Sequence, residues 1–568
     1  MTHSAVDTVS HFDQQVEEPF AGGSAVRRGW TLFVACAGVA LVIASMVALN
    51  TALADIAVAT SATQTQLTWI VDSYTLLLAC LLLPAGAAGD RYGRRTALLV
   101  GLAVFAVASF APLLFHTPVE IIAARALAGV GAAFVMPATL SLLTVVYPAE
   151  ARTKAVGIWA GTAGSGGVLG LLGTGLLLHF WQYQSIFWVL GGIGALLFVL
   201  TLTIAESREG DAPPLDWPGT VTIAAAVAVF VLGILEAPTY GWSDPRVYGC
   251  LVGGSVLAVV FGFIEVRSER PLLDVRLLLD PFFGTGAAAI TMVFLGTFAL
   301  FYLVTQFVQQ VMGYSPLVTA IAFCPMVLPL LTFSVLSPWY LPKFGLRTVI
   351  FVSMVLVAVG FLCMRTMGPH ASYFDLFWPL IVISSGFGLA TAPTTSAIMT
   401  AAPDEKQGVA SAVNDATREV GGALGIAIGG SILAGSYGNQ IAGALSAFPE
   451  RVRGPASESL AKALAVANHL GPQGQHLAEA SKDAFVTALD SSFLVMAGIV
   501  GVAALVIPAF APGRDGKQLP AVRRLAEFLR VRRCADAEAA LVTGRATHRD
   551  TGAERNLVRE PLPDRDRR

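Results

Sequence analysis

The segment Gly86-Ala-Ala-Gly-Asp-Arg-Tyr-Gly-Arg-Arg-Thr96 joins two long apolar runs and places four charged side chains within six residues. Arginine side chains are costly to bury in hydrocarbon, so the segment is predicted to be a short turn at a membrane surface. The positive-inside rule makes that surface the cytoplasmic one. Because successive spans cross the membrane in alternating directions, placing this turn in the cytoplasm also predicts on which side of the membrane every other loop lies.

The composition is typical of a membrane protein. The 568 residues are 55% hydrophobic and only 13% charged, whereas a soluble chain is about 25% charged. The apolar residues come in repeated runs of about 20, the length that spans a bilayer as a helix. Runs of about 10 alternating residues, as in a transmembrane barrel, do not occur. The predicted fold class is therefore an all-α polytopic membrane protein.

Fourteen apolar runs are long enough to be membrane-spanning helices. Most loop Lys and Arg residues lie on the side of Arg91, which supports this count with both termini in the cytoplasm. The spans are predicted at residues 30–53, 67–88, 97–115, 119–146, 155–178, 185–204, 218–237, 247–266, 284–305, 316–339, 348–366, 377–400, 409–435 and 487–511.

The two ends of the chain differ from the spans. Residues 1–29 are polar and predicted to be a cytoplasmic tail, and residues 512–568 form a strongly basic one. The basic tail has an apolar helix face at 519–529, which predicts contact with anionic lipid, or else a solvated positive segment. No nucleic-acid partner is expected.

A weak internal repeat divides the chain. Tyr92-Gly-Arg-Arg-Thr96 is similar to Phe344-Gly-Leu-Arg-Thr348, and each begins a new span. Spans 1–6 would then match spans 9–14, with spans 7 and 8 inserted between them. The predicted parts are a six-helix half at 30–204, the inserted helices at 205–283, and a second half at 284–511 with an external loop at 436–486. Parallel repeats of this kind are found in one large class of transporters.

The pattern Gly86-x-x-x-Asp90-Arg91-x-Gly93-Arg94-Arg95 resembles the loop 2–3 signature of the major facilitator superfamily. The resemblance implies a conformational gate, which latches the cytoplasmic side when the cavity faces outward. Physically, Asp90 can pair with nearby arginines or face a helix N-terminus, where the helix dipole favours an anion. The alternative is that the arginines only set the topology.

Four further stretches resemble the fourteen-span drug:proton antiporter branch of this family. They are Leu49-Asn-Thr-Ala-Leu53, Trp69-Ile-Val-Asp-Ser-Tyr74, Gly313-Tyr-Ser-Pro316 and Gly408-Val-Ala-Ser-Ala-Val-Asn-Asp-Ala-Thr-Arg-Glu-Val-Gly421. The resemblance covers roughly residues 30–511. It implies export of lipophilic compounds in exchange for protons.

Ionisable residues inside spans are functional candidates, because burying a charge in lipid is expensive. Asp72, near the outer end of span 2, could attract a cation or exchange a proton; the alternative is a solvated polar residue. Arg125-x-x-x-Gly129-x-Gly131 resembles the family's span-4 motif, which implies a part in proton coupling; the alternative is a structural ion pair. The family often has Gln at position 128, where this chain has Ala, and many relatives have Asp where this chain has Ser45.

Asp415, Arg418 and Glu419 form the strongest charged cluster. Their spacings of three and four residues place them on one helical face. At 1.5 Å per residue, Glu419 lies about 15 Å into span 13, near the midplane of a core about 30 Å thick. An acid at that depth is predicted to exchange a proton or bind a cation. The alternative is a charge-compensated structural triad.

Two further groups complete the candidate site. Small residues in spans 4 and 5 are predicted to pack helices closely, as in the family's antiporter motif, although the proline of that motif is absent here. These packing glycines are Gly129, Gly131, Gly170 and Gly173. Polar and aromatic side chains could line a cavity for flat cations. These cavity candidates are Asn50, Trp69, Tyr74, Phe301 and Asn414.

Enzyme motifs are absent: the chain contains no GxxxxGK[ST], HExxH or GxSxG pattern. We therefore expect neither an enzyme nor a cofactor or metal site. The predicted function is proton-coupled export of lipophilic, cationic drugs across the cytoplasmic membrane, with protons, small molecules and membrane lipid as partners. One alternative is a dedicated exporter of an endogenous metabolite, lipid or antibiotic on the same fold. The other is a membrane sensor or scaffold that uses the outer loop or the basic tail.

Overall fold

The computed structural model describes residues 25–115, 117–206, 216–268, 271–446, 448–470 and 472–520. Fourteen helices among these residues are long and apolar enough to cross a membrane, which confirms the predicted number and the all-α class. They are α1 Ala25–Ala48, α2 Gln66–Tyr92, α3 Arg94–Leu113, α4 Pro118–Val146, α5 Ala151–Phe180, α6 Gln184–Thr201, α7 Trp217–Ala237, α8 Pro245–Arg267, α9 Pro281–Val311, α10 Pro316–Val335, α11 Ser337–Met364, α12 Tyr373–Ala401, α13 Asp404–Leu445 and α14 Gly474–Phe510.

The two tails lie largely outside the described residues. Residues up to Lys517 form one compact unit. The segment from Gln518 is a second unit, of which only residues 518–520 are described. The predicted apolar face at 519–529 and most of the N-terminal tail therefore have no structural description. Below, the Arg94 side means the side of the bundle on which the turn between α2 and α3 lies.

Two glycines with positive φ make the tight turns of the repeat. Gly93, with φ 109°, separates α2 from α3, and Gly345, with φ 74°, interrupts α11. We predicted a loop between residues 339 and 348. The structure has helix there instead, interrupted only at Gly345. Only glycine adopts such a backbone without strain, so a single residue replaces a longer connection.

Arginines two residues after these glycines bind equivalent helix ends. Arg95 donates to the carbonyl oxygens of Thr201 (3.3 Å) and Leu202 (2.7 Å) at the end of α6. Arg347 donates to the carbonyl oxygen of Ala511 (3.0 Å), just after α14. A cation is favoured there by the free carbonyls and the helix dipole. The shared geometry supports the match of helices 1–6 with helices 9–14.

The inserted helices lie at the side of the bundle. α7 packs against α2, α8 and α13, whereas α8 packs mainly against α7. Large apolar side chains of α8 are exposed, including Val256 at 55% and Phe263 at 62%. In a membrane these side chains face lipid, so α8 is a peripheral helix.

The segment predicted as a loop at 436–486 is mostly helical. α13 continues to Leu445, two short helices follow at Glu450–Glu458 and Leu460–His469, and α14 has begun by Gly474. Apolar side chains on facing helices bury one another there, and the hydroxyl of Tyr437 donates to the carbonyl oxygen of Ala456 at 3.1 Å. Because of this packing, α13 and α14 are longer than the apolar runs predicted at 409–435 and 487–511.

Candidate functional site

Three charged residues are buried together in the middle of α13. Asp415, Arg418 and Glu419 are exposed by only 0%, 1% and 4%. Among the described residues they form no ion pair within 4.0 Å of one another, although the charge of Arg418 acts on both acids. Asp415 Oδ2, Glu419 Oε2 and two guanidinium nitrogens of Arg418 have no hydrogen-bond partner there.

Arg418 is held by aromatic rings and a hydroxyl group instead of a carboxylate. Its guanidinium carbon lies 4.9 Å from the ring centroid of Trp159 on α5 and 5.0 Å from that of Phe294 on α9. Its Nη2 donates to Thr395 Oγ1 on α12 at 2.9 Å. Cation–π contacts of this kind stabilise a desolvated cation. Arg418 therefore connects helices of the first set with helices of the second, and the acids keep free oxygens.

Asn414, a predicted cavity residue, belongs to the same buried cluster. Its Nδ2 donates to Asp415 Oδ1 at 3.1 Å, while its Oδ1 has no partner among the described residues. Buried polar atoms without partners are rare, because each one loses its hydrogen bonds to water. The cluster can therefore accept protons or positively charged groups.

Arg125 is a buried cation with neutral partners. Its Nη1 donates to Ser45 Oγ at 2.9 Å, its Nη2 to the Ser45 carbonyl at 3.1 Å, and its Nε to the Ile70 carbonyl at 3.3 Å. No ion pair of Arg125 occurs in the described part of the chain, contrary to the structural alternative. Ser45, which stands where many relatives have Asp, is thus the direct partner of Arg125.

Tyr74 lies beneath this arginine. The guanidinium carbon of Arg125 is 4.2 Å from the Tyr74 ring centroid, and the Tyr74 hydroxyl donates to the Val42 carbonyl at 3.0 Å. Tyr74 has no exposed surface. It therefore positions Arg125 and is not on the wall of a cavity open to solvent.

Asp72 lies apart from the α13 cluster. It is half-buried on α2, and the acid whose charge acts on it is Glu236 of α7. α2 and α7 are packed together, so these two acids lie on either side of one helix interface. The structure thus places the predicted coupling residues in three places: the α13 cluster, Arg125 on α4, and Asp72 at the α2–α7 interface.

The remaining cavity candidates are dispersed. Trp69 is half-buried on α2, and Phe301 on α9 packs edge-on against Phe323 with centroids 5.1 Å apart. The side chain of Asn50 lies outside the described part of the structure. These positions do not form one continuous aromatic surface with Tyr74.

Three of the four predicted packing glycines allow helices to touch. A Cβ at Gly129 would lie 3.1 Å from the Tyr74 carbonyl carbon, one at Gly131 would lie 2.6 Å from the Phe105 nitrogen, and one at Gly170 would lie 2.6 Å from the Ala44 Cα. Real Cβ atoms do not come so close to a neighbouring main chain. The fourth glycine, at position 173, has no atom within 4 Å of a Cβ and makes no such contact.

Asp90 clamps α2 to the start of α13. Its carboxylate accepts from the main-chain nitrogens of Gly408 (2.9 Å) and Val409 (3.1 Å) and from Arg94 Nη2 (3.0 Å). Arg94 also donates to the Asp404 carbonyl at 3.2 Å. Both predicted contacts of Asp90, with an arginine and with a helix N-terminus, are therefore present together. An acid at this position caps the helix and complements its dipole.

Two glycines let the clamp close. A Cβ at Gly86 would lie 2.8 Å from the Ala412 Cβ, and a Cβ at Gly408 would lie 2.7 Å from the Asp90 Cγ. The backbones of α2 and α13 are consequently in direct contact on the Arg94 side. A larger residue at either position would separate the two helices.

Sequence reasoning missed one acid of this region, Glu206. Its carboxylate accepts from the Arg95 main-chain nitrogen at 3.1 Å and from Thr96 Oγ1 at 2.7 Å, at the start of α3. The sequence did carry a signal for this contact: an acid lies directly after span 6, on the same side of the membrane as the arginine cluster. Of the other predicted gate arginines, Arg91 lies over the Tyr92 ring at 5.4 Å, and Arg95 binds the end of α6.

The fourteen-helix bundle, its internal repeat and its buried charged centre define the class of polytopic α-helical transport proteins. A family model described as Major Facilitator Superfamily matches residues 35–426. The chain therefore belongs to the Major Facilitator Superfamily, a family of membrane transporters, and is a multi-pass membrane protein.

Similar proteins carry drug-resistance names. The multidrug resistance protein Stp of Mycobacterium tuberculosis is 32% identical over 406 residues, which are 71% of this chain and 75% of that protein. The puromycin resistance protein of Streptomyces alboniger is 31% identical over 428 residues, covering 74% and 85%. The multidrug efflux pump LfrA of Mycolicibacterium smegmatis is 29% identical over 444 residues, covering 77% and 87%.

Solved structures of low sequence identity share the fold. A proton:xylose symporter of the same superfamily aligns with a TM-score of 0.55 at 14% identity, covering 89% of this chain and 100% of that chain. A bacterial homologue of the human lysosomal transporter Spinster aligns with a TM-score of 0.56 at 15% identity, covering 88% and 100%. At these identities the likeness shows the fold alone.

Proposed function

We propose that the protein exports lipophilic, cationic compounds across the cytoplasmic membrane in exchange for protons. The observation that carries the proposal is the pair of unpartnered carboxylate oxygens, Asp415 Oδ2 and Glu419 Oε2, buried in the centre of the bundle. The names of the similar proteins support drug export in particular.

The charges of the centre explain how exchange could occur. Two buried acids, Asp415 and Glu419, lie near one buried arginine, Arg418, so this cluster carries one net negative charge when both acids are ionised. Adding a proton to either acid makes the cluster neutral. Charges interact strongly in a medium of low dielectric constant, so a proton and a cationic compound compete for the same acids.

The Asp90 clamp supplies the gate of the proposed mechanism. We place the Arg94 side in the cytoplasm, as the positive-inside rule predicts, with both termini on that side. The contact of α2 with α13 then closes the cytoplasmic end in this conformation. Loss of the clamp would let the two sets of six helices rock and open that end.

Transport by purified protein in lipid vesicles tests this proposal. A panel of cationic and neutral drugs is assayed with and without an imposed pH gradient. We expect uptake of cationic drugs that follows the gradient and collapses when a proton carrier abolishes it. Uptake that is unaffected by the gradient would contradict proton coupling, and uptake of neutral drugs alone would contradict cation selectivity.

A second candidate is export of a neutral or anionic metabolite or antibiotic. The observation in its favour is the pairing of Arg125 with Ser45, which places a hydroxyl group where many relatives have a carboxylate. The centre is then less negative than with an acid at position 45. Including carboxylate-bearing compounds in the same vesicle panel separates the two candidates.

A further inference from the structure

A second pair of buried acids lies away from the centre, at the Arg94 side of the inserted helices. Glu265, in the last turn of α8, is 3% exposed. Asp216, directly before α7, is half-buried. Neither residue is used by the proposed transport mechanism, and the inference below does not depend on that mechanism.

Each of these acids uses one oxygen and leaves the other without a partner. Asp216 Oδ1 accepts from the Gly219 main-chain nitrogen at 3.1 Å and caps α7. Glu265 Oε2 accepts from the Leu273 main-chain nitrogen at 3.3 Å. Asp216 Oδ2 and Glu265 Oε1 are buried and have no hydrogen-bond partner in the described ranges. Desolvated oxygens of this kind are costly unless something donates to them.

The two free oxygens face the same glycine. A Cβ at Gly219 would lie 3.1 Å from Asp216 Oδ2 and would collide with Glu265 Oε1. The missing side chain of Gly219 therefore lets the two oxygens approach each other. The charge of Asp216 also acts directly on Glu265.

The neighbouring charges do not balance this pair. Of the charged groups on the surrounding described elements, Asp216 and Lys406 act on Glu265. Lys406 Nζ donates to the Pro271 carbonyl at 2.7 Å, and its single positive charge offsets one of the two carboxylates. The charged groups on these elements are Asp216 before α7, Glu236 on α7, Arg246, Glu265 and Arg267 on α8, Asp274, Arg276 and Asp280 after α8, and Asp404, Glu405 and Lys406 at the start of α13.

We propose that Asp216 and Glu265 hold one proton between them, in a cation site separate from the charged centre. Each of two neighbouring carboxylates disfavours ionisation of the other, and the single charge of Lys406 offsets only one of them. A carboxyl group on one residue would donate to the free oxygen of the other and satisfy both. Lys406, whose charge acts on Glu265, lies at the start of α13, where Asp90 binds.

Thermal unfolding of the purified full-length protein in detergent tests the site. The midpoint Tm is measured from about pH 5 to pH 9 for the wild type, Glu265→Gln and Asp216→Asn. A proton shared by the two carboxylates is released on unfolding, so its contribution to Tm is present at low pH and lost as pH rises. We expect both variants to lose that part of the pH dependence. Asn retains a capping oxygen, so Asp216→Asn keeps the α7 cap.

Asp280→Asn is the matched control, because Asp280 also caps a helix. Its Oδ1 accepts hydrogen bonds from the main-chain nitrogens of Phe282 and Phe283. Its pH profile should parallel the wild type. Infrared spectroscopy supplies a second readout: at neutral pH the protonated-carboxyl absorption of the wild type should be larger than that of either pair variant. Pair variants whose profiles and spectra match the wild type would overturn the proposal. A second result would also overturn it. If sodium chloride raised the Tm of the wild type but not that of Glu265→Gln, and the two proteins had the same pH dependence, sodium would be the occupant instead of a proton.

Discussion

At the scale of single residues, the protein separates buried cations from buried acids. Arg125 binds main-chain carbonyls and Ser45, and Arg418 lies between Trp159 and Phe294. Neither arginine forms an ion pair in the described part of the chain. Asp415 and Glu419 consequently keep oxygens that can take up a proton or a cation. In the proposed mechanism these oxygens are the ones that exchange protons.

Glu419→Gln should uncouple transport from the proton gradient while leaving drug binding measurable. Gln matches Glu in shape but exchanges no proton. If one proton is exchanged for each drug molecule, one unit of pH gradient drives about tenfold accumulation, which the variant should lose. Vesicle uptake with and without the gradient, together with drug binding, measures the effect. Glu206→Gln is the control, since Glu206 accepts from Arg95 and Thr96 away from the centre. Unchanged pH dependence of Glu419→Gln would count against its role.

Asp72→Asn should reduce export of divalent cations more than export of neutral drugs. Asp72 and Glu236 together place two negative charges at the α2–α7 interface, and the substitution removes one of them. Dose–response curves of cells that express each variant, with divalent, monovalent and neutral drugs, measure the difference. Glu236→Gln is the paired variant and should act in the same direction. Equal loss for all drug classes would remove charge recognition from Asp72.

At the scale of elements, helix ends carry the contacts between the two six-helix sets. The carboxylate of Asp90 binds main-chain nitrogens of α13 that lie 318 residues further along the chain. Gly86 and Gly408 bring the two backbones together at the same place. A helix cap therefore joins the two six-helix sets here, and in the proposed mechanism its strength sets how firmly the Arg94 side is closed.

Asp90→Ala should shift the protein toward conformations open on the Arg94 side. Loss of a helix cap costs about 0.5–2 kcal/mol, which changes a two-state population by a factor of roughly 2 to 30. Spin labels at the Arg94 ends of α2 and α13 should report a longer distance in a larger fraction of molecules. Asp280→Ala removes a cap at the start of α9 that does not join the two sets, and should leave the distances unchanged. An unaltered distribution in Asp90→Ala would show that the clamp does not control opening.

At the scale of the whole molecule, the repeat gives the two sets of helices the same construction. Gly93 and Gly345 turn the chain with positive φ, and Arg95 and Arg347 bind the ends of α6 and α14. Leu346 occupies the position that corresponds to Arg94 and carries no charge. The Asp90–Arg94 pair thus belongs to one repeat only, so the two sets differ in charge at this turn despite their common fold.

The orientation of the molecule can be tested by labelling. In a cysteine-free background, Gly454→Cys, in the helical segment between α13 and α14, should react with an impermeant thiol reagent on intact cells. Asp515→Cys, after α14 on the Arg94 side, should react only after the cells are permeabilised. Both positions are exposed, so access to reagent is limited by the membrane. The reverse pattern would place the Arg94 side outside.

The amino-acid sequence by itself determined the all-α class, the number of spans and the position of the main turn. Apolar length and charge distribution are local properties, so runs such as 97–115 and the cluster Asp90–Arg95 predict them directly. The boundary at Gly345 and the helical segment after Leu445 were less predictable, because they depend on a backbone angle and on packing between distant helices.

Only the tertiary structure decided which partner each buried charge finds. Arg125 binds Ser45, 80 residues away, and Asp216 lies beside Glu265 because α7 and α8 pack together. Spacing along one helix placed Asp415, Arg418 and Glu419 on one face, yet it could not show that they remain unpaired. Pairing depends on distances through space between separate helices, and those distances are set by packing after the helices have formed.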